Sequence, residues 1–245
     1  MACTTSRARL SGSSLAGLPI ALLAAVAAGA MAWLIFSRGG APKAGDFSGE
    51  RALEHVAKLV AFGPREPGSE AIAEAQDYIE AVLADDGWSV QRQSFVDKTP
   101  QGEKPFVNIR ARFAPDGGAI DWDDGGGIVL LCSHYDTKIF PDFRFDGAND
   151  GGSSTGVLLE MAKALAKSPE LAAGIELVFF DGEEAVVDFT AIDGLYGSRH
   201  YAKAWRSAPA DKKPVAAFVL DLVGDTVMRI DPPSDSPRAL LAELY

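Results

Sequence analysis

Residues 175–200 decide the fold, and they read IELVFFDGEEAVVDFTAIDGLYGSRH. The stretch opens with a mainly apolar run at 175–180, which is typical of a strand buried on both faces. The run stops at Asp181, and two adjacent glutamates follow, Glu183 and Glu184. In an open α/β sheet, chemistry collects just beyond the carboxyl ends of the strands. The glutamate pair therefore indicates either a metal site, in which one carboxylate binds the ion and its neighbour moves protons, or a solvated acidic turn.

The composition is that of an ordinary globular protein. The chain has 245 residues, of which 47% are apolar and 23% are charged, enough for one large domain with a core and an appendage. The net charge of -11 argues against a nucleic-acid partner, because binding a polyanion needs a basic face. Cys3 and Cys132 are the two cysteines, too few for a disulfide framework or a cysteine-rich zinc site.

The N-terminal segment predicts a membrane anchor. Residues 15–36 carry no charge and are long enough to cross a bilayer as a helix. We therefore expect residues 1–14 in the cytoplasm, a Gly/Pro-rich linker at 37–47, and a catalytic domain at 48–245 on the extracytoplasmic side, periplasmic or extracellular. The sequence AGA at 28–30 resembles a signal-peptidase site, so secretion after cleavage of a signal peptide is the alternative.

Helical and strand patterns alternate through the rest of the chain. In the first predicted helix, Ser48 is a candidate N-cap, and Leu53, Val56 and Leu59 are expected to face inward. This alternation predicts an α/β fold, a three-layer sandwich around a mostly parallel, mixed central sheet. The predicted helices are at 48–60, 69–83, 150–167 and 194–206, and the predicted strands are at 88–95, 106–113, 128–132, 175–180 and 215–222.

Three further polar groups stand at predicted strand ends or helix starts. His134 is followed two residues later by Asp136, a carboxylate that can orient a metal-binding imidazole, although a strand-end histidine is also found simply hydrogen-bonded. Asp150 lies in GANDGG, where it could bind a metal or cap a helix. Asp221 interrupts an apolar strand, which is costly unless a metal or a strong donor compensates the charge. Together with the glutamate pair, these groups predict one pocket of N and O ligands, for which zinc is the favoured ion.

Several motifs in this region carry a family resemblance. SHYDT (133–137), GANDGG (147–152), FFDGEEA (179–185) and VLDLVG (219–224) resemble the metal-site motifs of the M28 zinc aminopeptidase fold. The segment DGLYGSRH at 193–200 is similar to the D-S-L-Y-G-S-R-H of the glutaminyl-peptide cyclotransferases, or glutaminyl cyclases. The resemblance extends from about residue 62 to 224 and points to the cyclase branch of the fold.

The resemblance implies a role for each motif residue. In a cyclase, Asp150 and Glu184 would bind a single zinc ion, Glu183 would be the proton shuttle, and Asp221 would be a buried partner in its hydrogen-bond network. In a two-metal aminopeptidase, His134 and Asp221 would instead bind a second zinc ion, with Asp150 bridging the two. The implied cyclase reaction converts the N-terminal glutamine of a peptide to pyroglutamate and releases ammonia.

The sequence also departs from the family pattern. Phe189 stands where cyclases carry a tryptophan that lines the substrate pocket, and Ser133 and Thr155 match the paired cysteines of the animal enzymes. The family's remaining zinc ligand is a histidine on a later strand, whereas this sequence ends at Tyr245. We therefore expect that the C-terminal part of the domain is missing and that zinc binding and activity are weak. An M28-type aminopeptidase and an inactive membrane-tethered binding module are the alternatives to a cyclase.

Overall fold

The computed structural model describes residues 46–227 and 236–238 of the chain. Strands and helices alternate along this part, as the periodicity predicts, and a short 3-10 turn at Ala210–Lys212 precedes the last strand. The elements in chain order are α1 (Gly49–Phe62), α2 (Glu70–Asp85), β1 (Ser89–Thr99), β2 (Gly102–Arg112), β3 (Val129–His134), α3 (Gly152–Ala166), α4 (Pro169–Ala172), β4 (Ile175–Phe180), α5 (Tyr196–Arg206) and β5 (Ala216–Val219).

The central sheet is mixed, with the strand order β1-β2-β4-β3-β5. β3 pairs in parallel with β4 and β5, whereas β2 pairs antiparallel with both β1 and β4. The expectation of a mostly parallel sheet therefore holds for only half of the described pairings. The reason is a hairpin: β1 and β2 extend beyond the predicted strands at 88–95 and 106–113 to a tight turn at residues 100–101, and a two-residue connection can join only antiparallel strands.

β4 lies at the centre of the sheet and is buried along its whole length, which confirms the predicted doubly buried strand. Leu177 and Phe179 join the larger core under α1, α2 and α3, while Val178 and Phe180 pack with Tyr201 of α5 on the other face. Successive side chains of a strand point to opposite faces, so one apolar run supplies both cores. Helices therefore cover both faces of the described sheet.

One charged residue interrupts this strand and is fully compensated. Glu176 is completely buried, and its two carboxylate oxygens accept hydrogen bonds at 2.7 Å from the Nε atoms of Arg110 and Arg112. The hydroxyl of Tyr201 donates a further bond of 3.0 Å to Glu176. A buried carboxylate is tolerated only when it is paired and hydrogen-bonded in this way.

Helix α1 begins as predicted but buries a different face. The Ser48 side chain accepts a hydrogen bond from the backbone N–H of Arg51, as an N-cap does. Ala52, Val56 and Leu59 form the buried face, whereas Leu53 is 66% exposed, so its predicted inward position is wrong. A residue one position along a helix is turned by about 100°, which carries Leu53 away from the stripe that its neighbour Ala52 begins.

The predicted membrane segment lies outside the described residues. Residues 15–36, together with the proposed domain boundaries at 14, 36 and 47, stay predictions. Within residues 46–227 and 236–238, no helix has the length and apolar character needed to cross a membrane.

The burial difference on α1 gives a matched pair of stability tests. Leu59 is completely buried, so Leu59→Ala is expected to lower the free energy of unfolding by about 2–5 kcal/mol through lost burial and the cavity left behind. Leu53→Ala removes the same atoms from an exposed position and is expected to change it by less than about 0.5 kcal/mol. Urea unfolding followed by circular dichroism measures both, and equal losses would contradict the orientation of α1.

Candidate active site

Three polar side chains meet at the edge of the sheet that is formed by the carboxyl ends of β3 and β5. His134 Nε2 lies 3.2 Å from an oxygen of Asp150 and 3.3 Å from an oxygen of Asp221. The three ligand-capable atoms all lie within 4.8 Å of one another. One imidazole nitrogen and two carboxylate oxygens at this spacing match the donor types that zinc accepts in proteins. The donor set therefore fits the metal that the sequence predicts.

Glycines allow the turn that carries Asp150 to approach β3 closely. Gly151 has a φ of +74°, and a Cβ atom there would stand 2.7 Å from the backbone oxygen of Asp136 and 3.1 Å from Cε1 of His134. Any other residue would push Asp150 away from the imidazole. Gly151 also occupies the N-cap position of α3, so the alternative role of Asp150 as that helix's N-cap does not apply.

Asp136 connects the end of β3 with the glutamate pair. Its side chain is fully buried, and its two oxygens accept hydrogen bonds of 3.1 Å from the backbone N–H groups of Glu183 and Glu184, one oxygen for each. The oxygen that bonds to Glu183 also lies 3.3 Å from Nδ1 of His134. Asp136 thus contacts the imidazole and also fixes the backbone of both glutamates, while its role in orienting a metal-binding histidine stays a prediction.

The electrostatics of the site reflect several carboxylates gathered in a partly buried place. Burial raises the pKa of Glu184 to about 7, and the nearby charges of Asp150, Asp136 and Glu183 add to the shift. Burial is also the main cause that raises the pKa of Glu183, although the positive charge of His134 opposes it. Burial disfavours the charged form of His134, but hydrogen bonds to its carboxylate neighbours raise its pKa well above the ordinary value.

The group of ligand atoms in the structure differs from the cyclase ligand pair that the resemblance implies. Asp150 belongs to the group of ligand atoms within 4.8 Å, but among the described residues its partners there are His134 and Asp221 rather than Glu184. Glu184 nevertheless lies near Asp150. After burial, the negative charge of Asp150 is the largest cause of the raised pKa of Glu184. The shared ion of Asp150 and Glu184 therefore stays a prediction, and the observed group is the set implied for a two-metal enzyme.

Asp221 is not the buried residue that the apolar sequence around it predicts. β5 ends at Val219, so Asp221 lies beyond the strand, and its side chain is 45% exposed. The next residue, Leu222, has a φ of +51°, a conformation uncommon for leucine, which turns the chain immediately after the carboxylate. The hydrogen bond from His134 lowers the pKa of Asp221 and keeps it charged.

The segment DGLYGSRH builds the loop that presents Phe189. The buried carboxylate of Asp193 accepts hydrogen bonds from the backbone N–H groups of residues 186–188 and from the hydroxyl of Tyr196, at 2.8 to 3.0 Å. A Cβ atom on Gly194 would stand 2.8 Å from the ring of Phe189, so the aromatic ring lies directly over this glycine. Phe189 is 58% exposed, and its assignment to a substrate pocket stays a prediction.

The positions that match the paired cysteines of the animal enzymes are also adjacent in space. The hydroxyl oxygens of Ser133 and Thr155 lie 3.2 Å apart in the interior, where β3 meets α3. The Thr155 hydroxyl also lies 2.8 Å from the backbone oxygen of His134. A hydrogen-bonded pair of hydroxyls thus stands at the positions where the resemblance implies the cysteine pair of the animal enzymes.

Sequence reasoning gave no role to two buried charged residues beside the site. Asp181 is buried, accepts a 2.8 Å hydrogen bond from the backbone N–H of Val107, and has a pKa raised well above its usual value by burial and by Asp136. Arg65 is also completely buried and contacts the turn before Asp150. Asp181 lies in the motif FFDGEEA, and Arg65 lies in FGPR (62–65), where the region of family resemblance begins. This resemblance is the one signal in the sequence that marks them.

Comparison with known proteins identifies the class of protein that this chain resembles. Residues 118–237 match the model of peptidase family M28, so the predicted resemblance to that class of α/β protein is confirmed. The crystal structure of a Zn-dependent exopeptidase from Parabacteroides distasonis is similar, with a TM-score of 0.57 at 31% identity, over 73% of this chain and 62% of that one.

Within that class, the chain is similar to glutaminyl cyclases. It is 38% identical over 155 residues to a glutaminyl-peptide cyclotransferase-like protein of Bos taurus, a match that covers 59% of this chain and 38% of the bovine protein. The crystal structure of a glutaminyl cyclase from an Acidobacteriales bacterium has a TM-score of 0.68 at 34% identity, and the match covers 81% of this chain and 66% of that one. The match thus spans about two fifths of the curated bovine relative's length.

Removing one acceptor of Asp136 tests its structural role. In Asp136→Asn one oxygen can still accept, but the amide nitrogen faces the second backbone N–H, so we expect the free energy of unfolding to fall by about 1.5–3 kcal/mol. Asp142→Asn makes the same change at an exposed position of the following loop and is expected to stay within about 0.5 kcal/mol of the parent. Urea unfolding compares the two variants. If Asp136→Asn is as stable as the parent, Asp136 does not hold the backbone of Glu183 and Glu184 in place.

Proposed function

We propose that this protein is a zinc-dependent glutaminyl-peptide cyclotransferase, which converts the N-terminal glutamine of peptides to pyroglutamate and releases ammonia. The observation that carries the metal-dependent chemistry is the meeting of His134, Asp150 and Asp221 at one sheet edge, with Glu183 and Glu184 held beside them by a single buried carboxylate. The similarity to glutaminyl cyclases supports the choice of reaction.

The residues of this chain divide into metal ligands and a proton carrier. Asp150 and Glu184 would hold zinc in the cyclase arrangement, and His134 with Asp221 supplies further N and O donors next to Asp150. When bound, zinc supplies Lewis-acid polarisation of a substrate carbonyl. The carboxylates also give the site the negative charge that attracts the α-ammonium group of a peptide N-terminus.

Glu183 is the proposed proton shuttle. The substrate's own α-amine attacks the γ-carbonyl carbon of the glutamine side chain, so a carbon–nitrogen bond of a five-membered ring forms and the bond to the amide nitrogen breaks. Glu183 accepts the proton that the attacking amine loses and returns it to the leaving nitrogen, which departs as ammonia. Its raised pKa suits a carboxyl group that must both accept and release a proton near neutral pH.

The substrate must be held in a ring-closing conformation, because an intramolecular reaction gains most of its advantage from correct orientation. The exposed ring of Phe189, on the loop fixed by Asp193, is the proposed aromatic wall for the glutamine side chain. We also propose that residues 15–36 tether the protein to a membrane with this site on the extracytoplasmic side, on the grounds of their uncharged sequence.

A second candidate function is an M28-type aminopeptidase. The specific observation in its favour is that the ligand atoms of His134, Asp150 and Asp221, the set implied for a second metal, lie within 4.8 Å of one another. In that enzyme Glu183 would activate a water molecule instead of carrying a proton for the substrate's own amine, and a free amino acid would be released.

Turnover of two peptides distinguishes the candidates. A peptide with N-terminal glutamine is expected to yield pyroglutamate and ammonia with zinc present, and a chelator is expected to abolish the reaction. A peptide with N-terminal leucine is expected to stay intact. Release of free leucine together with binding of two zinc ions would favour the aminopeptidase instead.

The role of Glu183 is tested in the same assay. Glu183→Gln keeps the shape of the side chain but cannot carry a proton, so kcat is expected to fall by roughly 10²–10⁴-fold while zinc content is unchanged. Asp188→Asn, an exposed carboxylate on the neighbouring loop, is the control and is expected to leave kcat as it is. Unchanged turnover in Glu183→Gln would remove the shuttle role. No turnover in either the parent or the variant would favour a protein that only binds its partner.

A further inference from the structure

Arg65 is a fully buried cation whose guanidinium group donates to backbone carbonyls beside the site and at the end of α1. It lies between α1 and α2, and its side chain has no exposed surface. Within the described residues, every hydrogen bond of its guanidinium group ends on a backbone carbonyl, at 2.7 to 3.3 Å. The acceptors are the carbonyl oxygens of Leu59, Gly63, Tyr135, Asp146 and Gly147.

These acceptors belong to three separate segments, two of which carry candidate ligands. Tyr135 stands between His134 and Asp136 at the end of β3, and its carbonyl receives the shortest of the bonds, 2.7 Å from Nε of Arg65. Asp146 and the following glycine begin the turn that leads to Asp150. One planar guanidinium group thus joins the strand end that carries the imidazole to the turn that carries the carboxylate.

The backbone of Arg65 is fixed to the same strand end. The side-chain hydroxyl of Thr137 accepts a 2.8 Å hydrogen bond from the N–H of Arg65, and the N–H of Thr137 donates a 3.2 Å bond to the carbonyl of Arg65. Gly147 packs against both, since a Cβ atom there would stand 2.5 Å from the Thr137 methyl group and 3.1 Å from Nη2 of Arg65. This close packing leaves the guanidinium group little freedom to move.

Arg65 also carries a charge that the site needs to offset its carboxylates. Burial lowers the pKa of Arg65 to about 10, but the fields of Asp136, Asp146 and Asp150 oppose that shift, so the group is protonated at neutral pH. A buried charge costs several kcal/mol unless dipoles or opposite charges compensate it. Here five carbonyl dipoles and three nearby carboxylates do so, and the positive charge in turn reduces the repulsion among those carboxylates.

We propose that Arg65 is the positioning residue of the candidate site, because it fixes the turn before Asp150 against the end of β3 and so holds the Asp150 oxygen 3.2 Å from His134 Nε2. The consequence for metal binding rests on the proposed function. The positioning itself concerns the backbone and is independent of any bound ion.

Arg65→Lys is the variant that isolates the geometry, because lysine keeps the charge but loses the planar fork that reaches several carbonyls at once. Arg112→Lys is the matched control: Arg112 is also nearly buried and donates to two backbone carbonyls, those of Asp121 and Asp124, next to Glu176 and away from the site. Both variants are expected to unfold at lower urea concentration than the parent.

Two measurements on the folded proteins then separate positioning from general destabilisation. Amide hydrogen exchange in residues 146–151 is expected to accelerate about tenfold in Arg65→Lys and to match the parent in Arg112→Lys. Isothermal titration with zinc is expected to show a Kd about tenfold or more weaker in Arg65→Lys, the range found when supporting groups behind metal ligands are changed, and an unchanged Kd in Arg112→Lys.

The outcomes decide the inference in either direction. The inference is overturned if amide exchange and zinc affinity in Arg65→Lys stay at the parent's values. It is also overturned if exchange and zinc affinity change equally in Arg65→Lys and Arg112→Lys, since equal changes would reflect lower stability alone. If the parent chain itself binds no zinc, the proposed function fails. Exchange in residues 146–151 then still decides whether Arg65 positions the turn.

Discussion

The candidate site depends on one buried carboxylate that accepts two backbone hydrogen bonds from a neighbouring strand end. Asp136 extends from β3, and Glu183 and Glu184 follow β4. Parallel strands bring their carboxyl ends to the same edge, but they do not determine where the residues beyond those ends point. The two bonds of Asp136 supply that information, because they fix the backbone of the acidic pair relative to His134. Without them the glutamates would belong to an ordinary loop.

Much of the fold follows from local sequence pattern. The apolar run of β4 identifies the central strand because few other positions can bury both faces, and Ser48 and Ser69 mark helix starts by their capping side chains. The hairpin between β1 and β2 escaped prediction because polar residues in an exposed hairpin read as a loop. The exposure of Leu53 was not predicted, because the sequence does not show whether Ala52 or Leu53 begins the buried face of α1.

The candidate site was less predictable than the fold, because ligand geometry depends on turns that periodicity does not describe. The residue types were recognisable: His134, Asp136 and Asp150 stand where the strand-end argument and the family resemblance expect them. Two features of the site cannot be recognised from the sequence pattern. One is the end of β5 at Val219, which exposes Asp221, and the other is the guanidinium of Arg65, whose partners are carbonyl groups and therefore leave no trace in side-chain patterns.

The contact between Ser133 and Thr155 does not depend on the redox state of the compartment that holds the protein. At the positions where the resemblance implies a pair of cysteines in the animal enzymes, this chain joins β3 to α3 through hydroxyl groups 3.2 Å apart. Hydroxyl groups take no part in thiol–disulfide exchange, which requires a thiolate. The attachment of the strand that ends in His134 to the helix that follows Asp150 is therefore the same in a reducing and in an oxidising compartment, and it needs no thiol chemistry during folding.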